Sequence, residues 1–268
     1  MLEKTMRSER RCGVEQDNQT LVGGLRAVEL YFRVIREISS GNAAFLQSQT
    51  RLNTPGLGVM LPENFRDVSE ITNQCISLFE LELVQALEWC SKFIEREIIF
   101  DWLSVYMPAD YLKNPRAEYN ILGFCDRFKV NTNKMCFALS AKLLEQTDGK
   151  AALTLRNLRN KGFHFMLTGF GSDSCPMMKL SEYDVDYVML SPEVTHFLGK
   201  NERSDGAVKS IIDFISELDA IPVADGVQNS RQAEKLYEYG CGYCAGSLVG
   251  KYTSERYIRR KNDDGEAE

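Results

Sequence analysis

Short apolar runs alternate with helical patterns along the second half of the chain, and this alternation constrains the fold most. Strands are predicted at residues 163–167, 185–190 and 221–224, and helices at 207–218 and 230–239. Repeated strand–helix units favour parallel strands with right-handed crossovers. Roughly 240 residues of this pattern is the size of one eight-stranded barrel. We therefore predict an α/β protein with a TIM-like (β/α)8 barrel; an open doubly wound sheet is the alternative.

The first half of the chain continues the pattern. Helices are predicted at residues 77–96 and 151–159, and strands at 101–107 and 135–139. Asp205 or Ser204 is the predicted cap of the helix at 207–218. No G-x-G-x-x-G motif follows a predicted strand, which counts against the nucleotide-binding form of the open sheet.

Composition excludes some classes of protein. The 268 residues carry a net charge of −6, which argues against direct nucleic-acid binding because that needs a basic face. No stretch reaches the ~18 apolar residues of a membrane span, so no membrane partner is expected. The eight cysteines lie scattered through apolar segments, as is typical of free thiols in a reducing cytosol, so we predict a cytoplasmic location. Residues 1–20 are predicted to be a disordered polar segment, 21–255 the barrel and 256–268 a charged tail.

Catalytic groups of a barrel enzyme lie where the strands end. The strand at 163–167 is followed by Thr168 and Gly169, and Asp225 is the one carboxylate at the predicted strand ends. Divalent cations need several oxygen ligands, and acid–base catalysis needs a pair of groups with separated pKa values. The sequence therefore predicts no metal and no cofactor.

Several short motifs occur in an order that resembles one known family. Residues 155–162 read LRNLRNKG before a predicted strand, 185–188 read VDYV, 224–228 read ADGVQ and 240–246 read GCGYCAG. Phe170-Gly171 ends one strand, and Arg51 is followed at the family's spacing by Pro55, Gly58, Pro62, Phe65 and Glu70. Over roughly residues 25–252 the chain resembles the EAL (Glu-Ala-Leu) family of cyclic di-GMP phosphodiesterase domains. The resemblance implies a TIM-like barrel of the EAL type.

The resemblance also implies which positions would carry the family's chemistry, and the chain departs from the family there. Members hold two divalent metals that activate water for phosphodiester hydrolysis. Their metal ligands, lysine and neighbouring acids correspond here to Gln47, Tyr106, Ala138, Ala141, Thr168, Gly169, Met189, Ser191, Asp225 and Gln228. We therefore expect a degenerate domain that has no catalytic residue and is not an enzyme.

Two arginines are candidates for residual ligand binding. Arg51 resembles the family's phosphate-contacting arginine, and Arg33 aligns with a glutamine near its first strand. Arginine can bind phosphate bidentately. Other ligand contacts of the family are replaced, at Gln49 and Ala245. An ion pair on a loop or surface is the alternative for Arg51, and convergence of the two arginines at the barrel mouth is the prediction of a ligand-binding role.

Two further motifs favour structural roles. Cys241 and Cys244 form a lone C-x-x-C, which without a second pair or nearby histidines indicates packing more than a zinc or redox site. His164 lies inside an apolar run and is predicted to be a barrel-wall residue and not a catalytic base.

The resemblance sets the expected function. Degenerate stand-alone members include adaptors that bind transcription factors. The chain is therefore expected to be such a regulator, for example of motility or virulence genes, acting through a protein partner without hydrolysing cyclic di-GMP. A receptor that binds cyclic di-GMP without hydrolysis is the alternative. The region around Phe197 and Leu198 corresponds to a dimer surface in the family, which implies a homodimer.

Overall fold

The computed structural model of the protein describes residues 21–22, 25–145, 149–172 and 175–259. The segment expected to be disordered, 1–20, lies outside the described residues, as do residues 260–268 of the expected charged tail. Within the described ranges, no helix is long and apolar enough to cross a membrane.

The described strands build a closed barrel, which confirms the predicted TIM-like α/β architecture and excludes the open sheet. They are β1 (Leu21–Val22), β2 (Leu25–Arg26), β3 (Val28–Glu37), β4 (Ala43–Thr54), β5 (Gly58–Met60), β6 (Leu103–Tyr106), β7 (Met135–Ser140), β8 (His164–Phe170), β9 (Tyr187–Leu190), β10 (Ile221–Ala224) and β11 (Tyr243–Cys244). The ring runs β3, β11, β10, β9, β8, β7, β6, β4 and closes because β3 also pairs with β4. β5 extends the sheet beyond β4, and β1 and β2 form a separate hairpin.

One strand departs from the all-parallel sheet that repeated strand–helix units predict. β3 runs antiparallel to both of its neighbours, β4 and β11, whereas the other pairs in the ring are parallel. The connection between β3 and β4 spans only residues 38–42. So short a turn allows antiparallel pairing, while a parallel pair needs a crossover of a dozen or more residues.

Helices cover the outside of the barrel. They are α1 (Arg66–Ile71), α2 (Cys75–Glu95), α3 (Ala109–Leu112), α4 (Ala117–Phe128), α5 (Gly149–Asn160), α6 (Pro192–Thr195), α7 (Glu202–Glu217) and α8 (Ser230–Glu238). Short 3-10 helices lie at Pro62–Asn64, Thr132–Lys134, Ala141–Glu145, Met177–Glu182 and Glu255–Tyr257. The helices predicted at 77–96, 151–159 and 230–239 are confirmed as α2, α5 and α8.

The predicted start of the helix at 207–218 is wrong. α7 begins at Glu202, and its cap is Asn201, not Asp205 or Ser204. The Asn201 side chain accepts a hydrogen bond from the Ser204 N–H at 2.9 Å, and the Ser204 hydroxyl accepts one from the Asn201 N–H at 3.2 Å. This reciprocal cap stabilises the first turn of α7. It acts against Gly206, which lowers the intrinsic helix propensity of α7.

Two hydrophobic cores lie on the two sides of the barrel wall. Inside the barrel, the Phe45 ring stacks on Trp102 with 3.9 Å between centroids, and Tyr187 packs against the edges of both. The larger core lies between the strands and the helices. Because the aromatic layer fills the end of the barrel where the parallel strands begin, a site has room only where they finish.

A carboxylate is fully buried in the outer core. Glu82 of α2 pairs with both terminal nitrogens of Arg66 on α1, at 2.7 and 3.1 Å, and accepts a hydrogen bond from the Thr50 hydroxyl of β4 at 2.7 Å. Burial raises the pKa of Glu82, and the charge and hydrogen bonds of Arg66 and Thr50 act against that shift. This network holds α1 and α2 against β4.

Arg66→Met is expected to destabilise the protein by about 3–5 kcal/mol, because it leaves Glu82 as a buried charge without its partner. With the cation gone, burial holds the pKa of Glu82 further above its ordinary value of about 4.3. A carboxyl with a raised folded-state pKa loses stability as pH rises from that ordinary value, and protonation at lower pH relieves the loss. Urea denaturation should therefore show a smaller loss at about pH 5 than at about pH 8.

Lys209→Met is the matched control, since it breaks the exposed Lys209–Asp213 pair on α7. Its expected effect is below about 0.5 kcal/mol at either pH. Equal losses in the two variants, or a loss in Arg66→Met that does not depend on pH, would contradict the role given to Glu82.

Candidate functional site

The parallel strands finish at one end of the barrel, which we call the mouth, and several predicted site positions meet there. Its inner wall carries Gln47 of β4, Ala138 of β7, Thr168 of β8, Met189 of β9 and Asp225, which follows β10. The Gln47 amide nitrogen lies 3.8 Å from the Met189 sulfur, and Thr168 is the register partner of Met189. The structure therefore brings these five positions together.

An ion pair lies at the centre of the mouth. Arg33 of β3 donates from its two terminal nitrogens to the two carboxylate oxygens of Asp225, at 2.9 and 2.7 Å, and from Nε to Oε1 of Gln47 at 2.8 Å. The Arg33 and Asp225 side chains are 10% and 19% exposed. A bidentate, charge-assisted pair shielded from water fixes both partners in position.

The turn after β10 holds Asp225 toward Arg33. Gly226 has a φ of +78°, and a Cβ at this position would meet the Pro192 Cα at 2.9 Å. Only glycine suits this conformation and this close approach. The Gly226 N–H also donates to Asp225 Oδ1 at 2.7 Å, so the turn itself orients the carboxylate.

β8 ends in a bulge at Thr168 and Gly169, two positions where the resemblance implies metal ligands in the family. The Thr168 hydroxyl donates to the Leu139 carbonyl at 3.1 Å. Gly169 follows with a φ of +77°, at the point where the register with β9 shifts. Thr168 is thus bonded to the neighbouring strand, and Gly169 supplies the turn.

Three predicted positions take other roles. Ser191 is buried and caps α6, where its hydroxyl accepts a hydrogen bond from the Val194 N–H at 3.4 Å. Gln228 is exposed on the loop after β10. The Tyr106 hydroxyl at the end of β6 donates to Glu70 at 2.9 Å, and burial together with Glu70 raises the pKa of Tyr106. These side chains do not join the central ion pair.

The donors at the mouth do not fit the two divalent metals that the resemblance implies. Both oxygens of Asp225 and Oε1 of Gln47 already accept hydrogen bonds from Arg33. A metal cation bound by them would lie beside the guanidinium, where the two positive charges repel. Across the described ranges there is no group of three or more His, Cys, Asp and Glu side chains that could hold a metal.

The C-x-x-C pair and His164 lie outside this constellation. Cys241 is buried with its sulfur 3.4 Å from the Pro222 and Tyr243 carbonyl oxygens, and burial raises the pKa of its thiol to about 12. Burial also raises the pKa of Cys244. His164 begins β8, at the end opposite the mouth. These environments support the packing and wall roles preferred from the sequence.

β3 and β4 continue past the central ion pair as a two-stranded ribbon. Their register pairs Arg33 with Gln47, Tyr31 with Gln49 and Glu29 with Arg51. Successive side chains of a strand point to opposite faces, so these six share one face, which we call the ribbon face. Arg33 and Arg51 thus share one face, but Arg51 lies further along β4 than Gln47 and Arg33 is engaged by Asp225. Convergence of the two arginines at the barrel mouth stays a prediction.

Arg51 has a different environment from Arg33. Its guanidinium carbon lies 3.5 Å from the ring centroid of Tyr31, a cation–π contact that holds the planar group flat. Its Nε is buried, and no described residue accepts a hydrogen bond from it. The contacts of the described residues therefore give Arg51 an aromatic support and not the surface ion pair that was its alternative.

Sequence reasoning missed Tyr252, which covers the central ion pair. The Arg33 guanidinium carbon lies 4.7 Å from the Tyr252 ring centroid. Burial raises the pKa of Tyr252 to about 12, against the opposing effect of Arg33. The sequence offered one signal, a lone tyrosine in the polar run Lys251-Tyr252-Thr253. A local pattern does not reveal that this tyrosine contacts Arg33, which lies far from it in the chain.

Comparisons with known proteins agree with this architecture. A family model described as the EAL domain matches residues 19–252. The cyclic di-GMP phosphodiesterase PdeB of Shewanella oneidensis is 25% identical over 231 residues, covering 83% of this chain and 26% of PdeB. The cyclic di-GMP phosphodiesterase RocR of Pseudomonas aeruginosa is 22% identical over 230 residues, covering 86% of this chain and 58% of RocR. The chain thus spans between about a quarter and somewhat over half of these curated relatives.

A solved structure supports the fold. The EAL enzyme Bd1971, in its cAMP- and cyclic di-GMP-bound form, matches with a TM-score of 0.80 at 17% identity. The match covers 87% of this chain and 64% of that chain.

These relatives correct one expectation. The missing carboxylates and lysine led to the expectation that the chain is not an enzyme. That expectation is wrong, because the relatives that match most of its length are named as phosphodiesterases and point to an enzyme family. The number of metal-binding side chains at the strand ends describes only one set of positions. It is too narrow a basis for concluding that a chain lacks the family's activity.

Arg33→Met is expected to destabilise the protein by about 2 kcal/mol, because it removes the charged hydrogen bonds that satisfy Asp225 and Gln47. Asp225→Leu alone should cost a similar amount. In the double variant Arg33→Met/Asp225→Leu no charge is left unpaired, so its loss should be smaller than the sum of the two single losses. Guanidinium denaturation of the four proteins measures this coupling; additive losses would contradict it.

Proposed function

The chain belongs to the EAL domain family, and from that membership we propose that it binds cyclic di-GMP at the ribbon face. The observation that carries this proposal is Arg51, held flat on Tyr31 with a buried Nε that no described residue satisfies. In this proposal the phosphodiester accepts hydrogen bonds from the terminal nitrogens of Arg51.

The chemistry of the ribbon face suits a phosphodiester. A guanidinium presents parallel N–H donors that match two phosphate oxygens. The Tyr31 ring fixes this group before a ligand arrives, which reduces the side-chain entropy lost on binding. Gln49 lies on the same face, opposite Tyr31, and offers an amide for polar groups of the ligand.

The choice of ligand draws on the family. Cyclic di-GMP is named as bound in the Bd1971 structure and as the substrate of PdeB and RocR. Those names describe those proteins. For this chain they support testing cyclic di-GMP first, and the proposal concerns binding, which is measured separately from turnover.

Arg51→Ala is expected to weaken cyclic di-GMP binding at least about tenfold, since a charged hydrogen bond to phosphate contributes about 1.5–3 kcal/mol. Isothermal titration in EDTA measures binding without any metal-dependent turnover. Tyr31→Ala should weaken binding less, because it removes the support of the guanidinium and leaves the charge.

Arg36→Ala is the matched control. Arg36 lies on the same strand, β3, where it pairs with the closing strand β11 away from the ribbon face. Its removal should leave the affinity unchanged. If native protein does not bind, or if Arg51→Ala and Arg36→Ala bind alike, the ribbon face is not the site.

A second function, regulation through a protein partner, is favoured by one stretch of the chain, from the β5 hairpin to α1. Four large apolar side chains between residues 57 and 71 are exposed: Leu57 by 76%, Val59 by 52%, Val68 by 59% and Ile71 by 81%. Apolar side chains concentrated in this way are typical of protein interaction sites. The family resemblance supplies the partner class, a regulator of transcription. A homodimer through the region of Phe197 stays a prediction.

Val68→Ser/Ile71→Ser is expected to abolish capture of the partner, because it removes the most exposed apolar groups of α1 while leaving the buried Arg66 network intact. The measurement is affinity capture from the native cytosol with each protein immobilised. Ile99→Ser, which changes a side chain that is 83% exposed after α2, is the control. A partner retained equally by all three proteins would exclude α1 as the contact.

A further inference from the structure

We propose that residues 249–258 form a strap that closes the mouth, and that Tyr252 is the residue that keeps it closed. The proposal rests on cyclic di-GMP binding at the ribbon face and adds its regulation. Arg33 can join Arg51 on a phosphodiester only after the strap has opened and the ligand has replaced the hydrogen bonds of Arg33 to Asp225 and Gln47.

The strap starts from a rigid anchor beside the central turn. The Val227 N–H donates to the Ala245 carbonyl at 3.0 Å, and the Leu248 N–H donates to the Val227 carbonyl at 3.0 Å. Gly246 lies so close that a Cβ there would meet the Val227 backbone at 2.4 Å. Residues 245–248 are therefore held against the turn that carries Asp225.

Beyond this anchor the strap uses a free edge of β3. β11 pairs with β3 only at Arg36 and Glu37, which leaves the same edge open nearer the mouth. There Phe32 and Thr253 exchange two backbone hydrogen bonds of 2.8 Å each. A two-bond bridge at an edge is a short attachment, of the kind that opens locally without unfolding a domain.

Tyr252 covers the groups that a phosphodiester would need. Its half-buried ring lies over the Arg33 guanidinium, whose three nitrogens already donate to Asp225 and Gln47. Arg51, by contrast, lies on the part of the ribbon face where Tyr31 supports it. The closed strap and the hydrogen bonds to Asp225 and Gln47 therefore withhold Arg33 together, while Arg51 is left for the ligand.

Closure of this kind lowers the measured affinity. When the ligand binds tightly only to open molecules, which offer both arginines, the apparent dissociation constant is close to the intrinsic one divided by the open fraction. A strap that is open about one-tenth of the time weakens binding about tenfold. Variants that open the strap should recover that factor.

Two variants open the strap by different means. Tyr252→Ala removes the ring that covers Arg33, and Thr253→Pro removes the N–H that donates to the Phe32 carbonyl. Both are expected to bind cyclic di-GMP about tenfold more tightly than the native protein in EDTA. Thr253→Ala keeps the backbone bonds, so this control should bind within about twofold of the native protein. Tyr252→Phe keeps the ring and loses the hydroxyl that interacts with Arg33, so its affinity should lie between those of the native protein and Tyr252→Ala. Thermal unfolding of each protein checks that it is folded.

The outcomes separate this proposal from the one on which it rests. Tighter binding by both opened variants than by the native protein, with an unchanged Thr253→Ala control, supports the strap. Binding by Tyr252→Ala and Thr253→Pro that is equal to or weaker than native binding overturns the strap and leaves the ribbon-face site standing. No binding by any of the proteins overturns both.

Discussion

The pairing of β3 with two neighbours is the constraint on which the rest of the structure depends. β3 forms a long antiparallel ladder with β4 and a short one with β11, and these two ladders turn an otherwise open parallel sheet into a ring. The short turn after β3 dictates the antiparallel direction. Since β3 runs against its neighbours, its early residues lie at the mouth, and that is why Arg33 lies opposite Asp225.

The difference in length between the strands then shapes the surface. β3 and β4 extend past the ring and expose a ribbon face, while β11 stops after two residues and leaves part of one edge of β3 unpaired. The unpaired edge receives Thr253, and the extension carries Tyr31 and Arg51. The lengths of these strands thus decide that Arg33 is covered and that Arg51 is available. They matter more for this difference than any catalytic side chain.

Family membership and local chemistry provide different information about this chain. The matches over most of its length place it in an enzyme family of cyclic di-GMP signalling. The mouth itself carries an arginine in an ion pair at its centre, with oxygens that point to that arginine. Since Asp225 already neutralises that arginine, the phosphodiester proposed for the ribbon face depends on Arg51.

The sequence by itself determined the barrel and its family, because apolar periodicity and short ordered motifs are local signals. They can be recognised without knowing which distant residues are in contact. It identified Arg33 and Arg51 as the arginines of interest and Gln47, Thr168, Met189 and Asp225 as residues of the mouth. It did not reveal the antiparallel β3, the start of α7 or the position of Tyr252. Only the tertiary structure decided that Arg33 pairs with Asp225 while Arg51 rests on Tyr31. Those contacts join residues far apart in the chain, and their partners are chosen by how the ring closes.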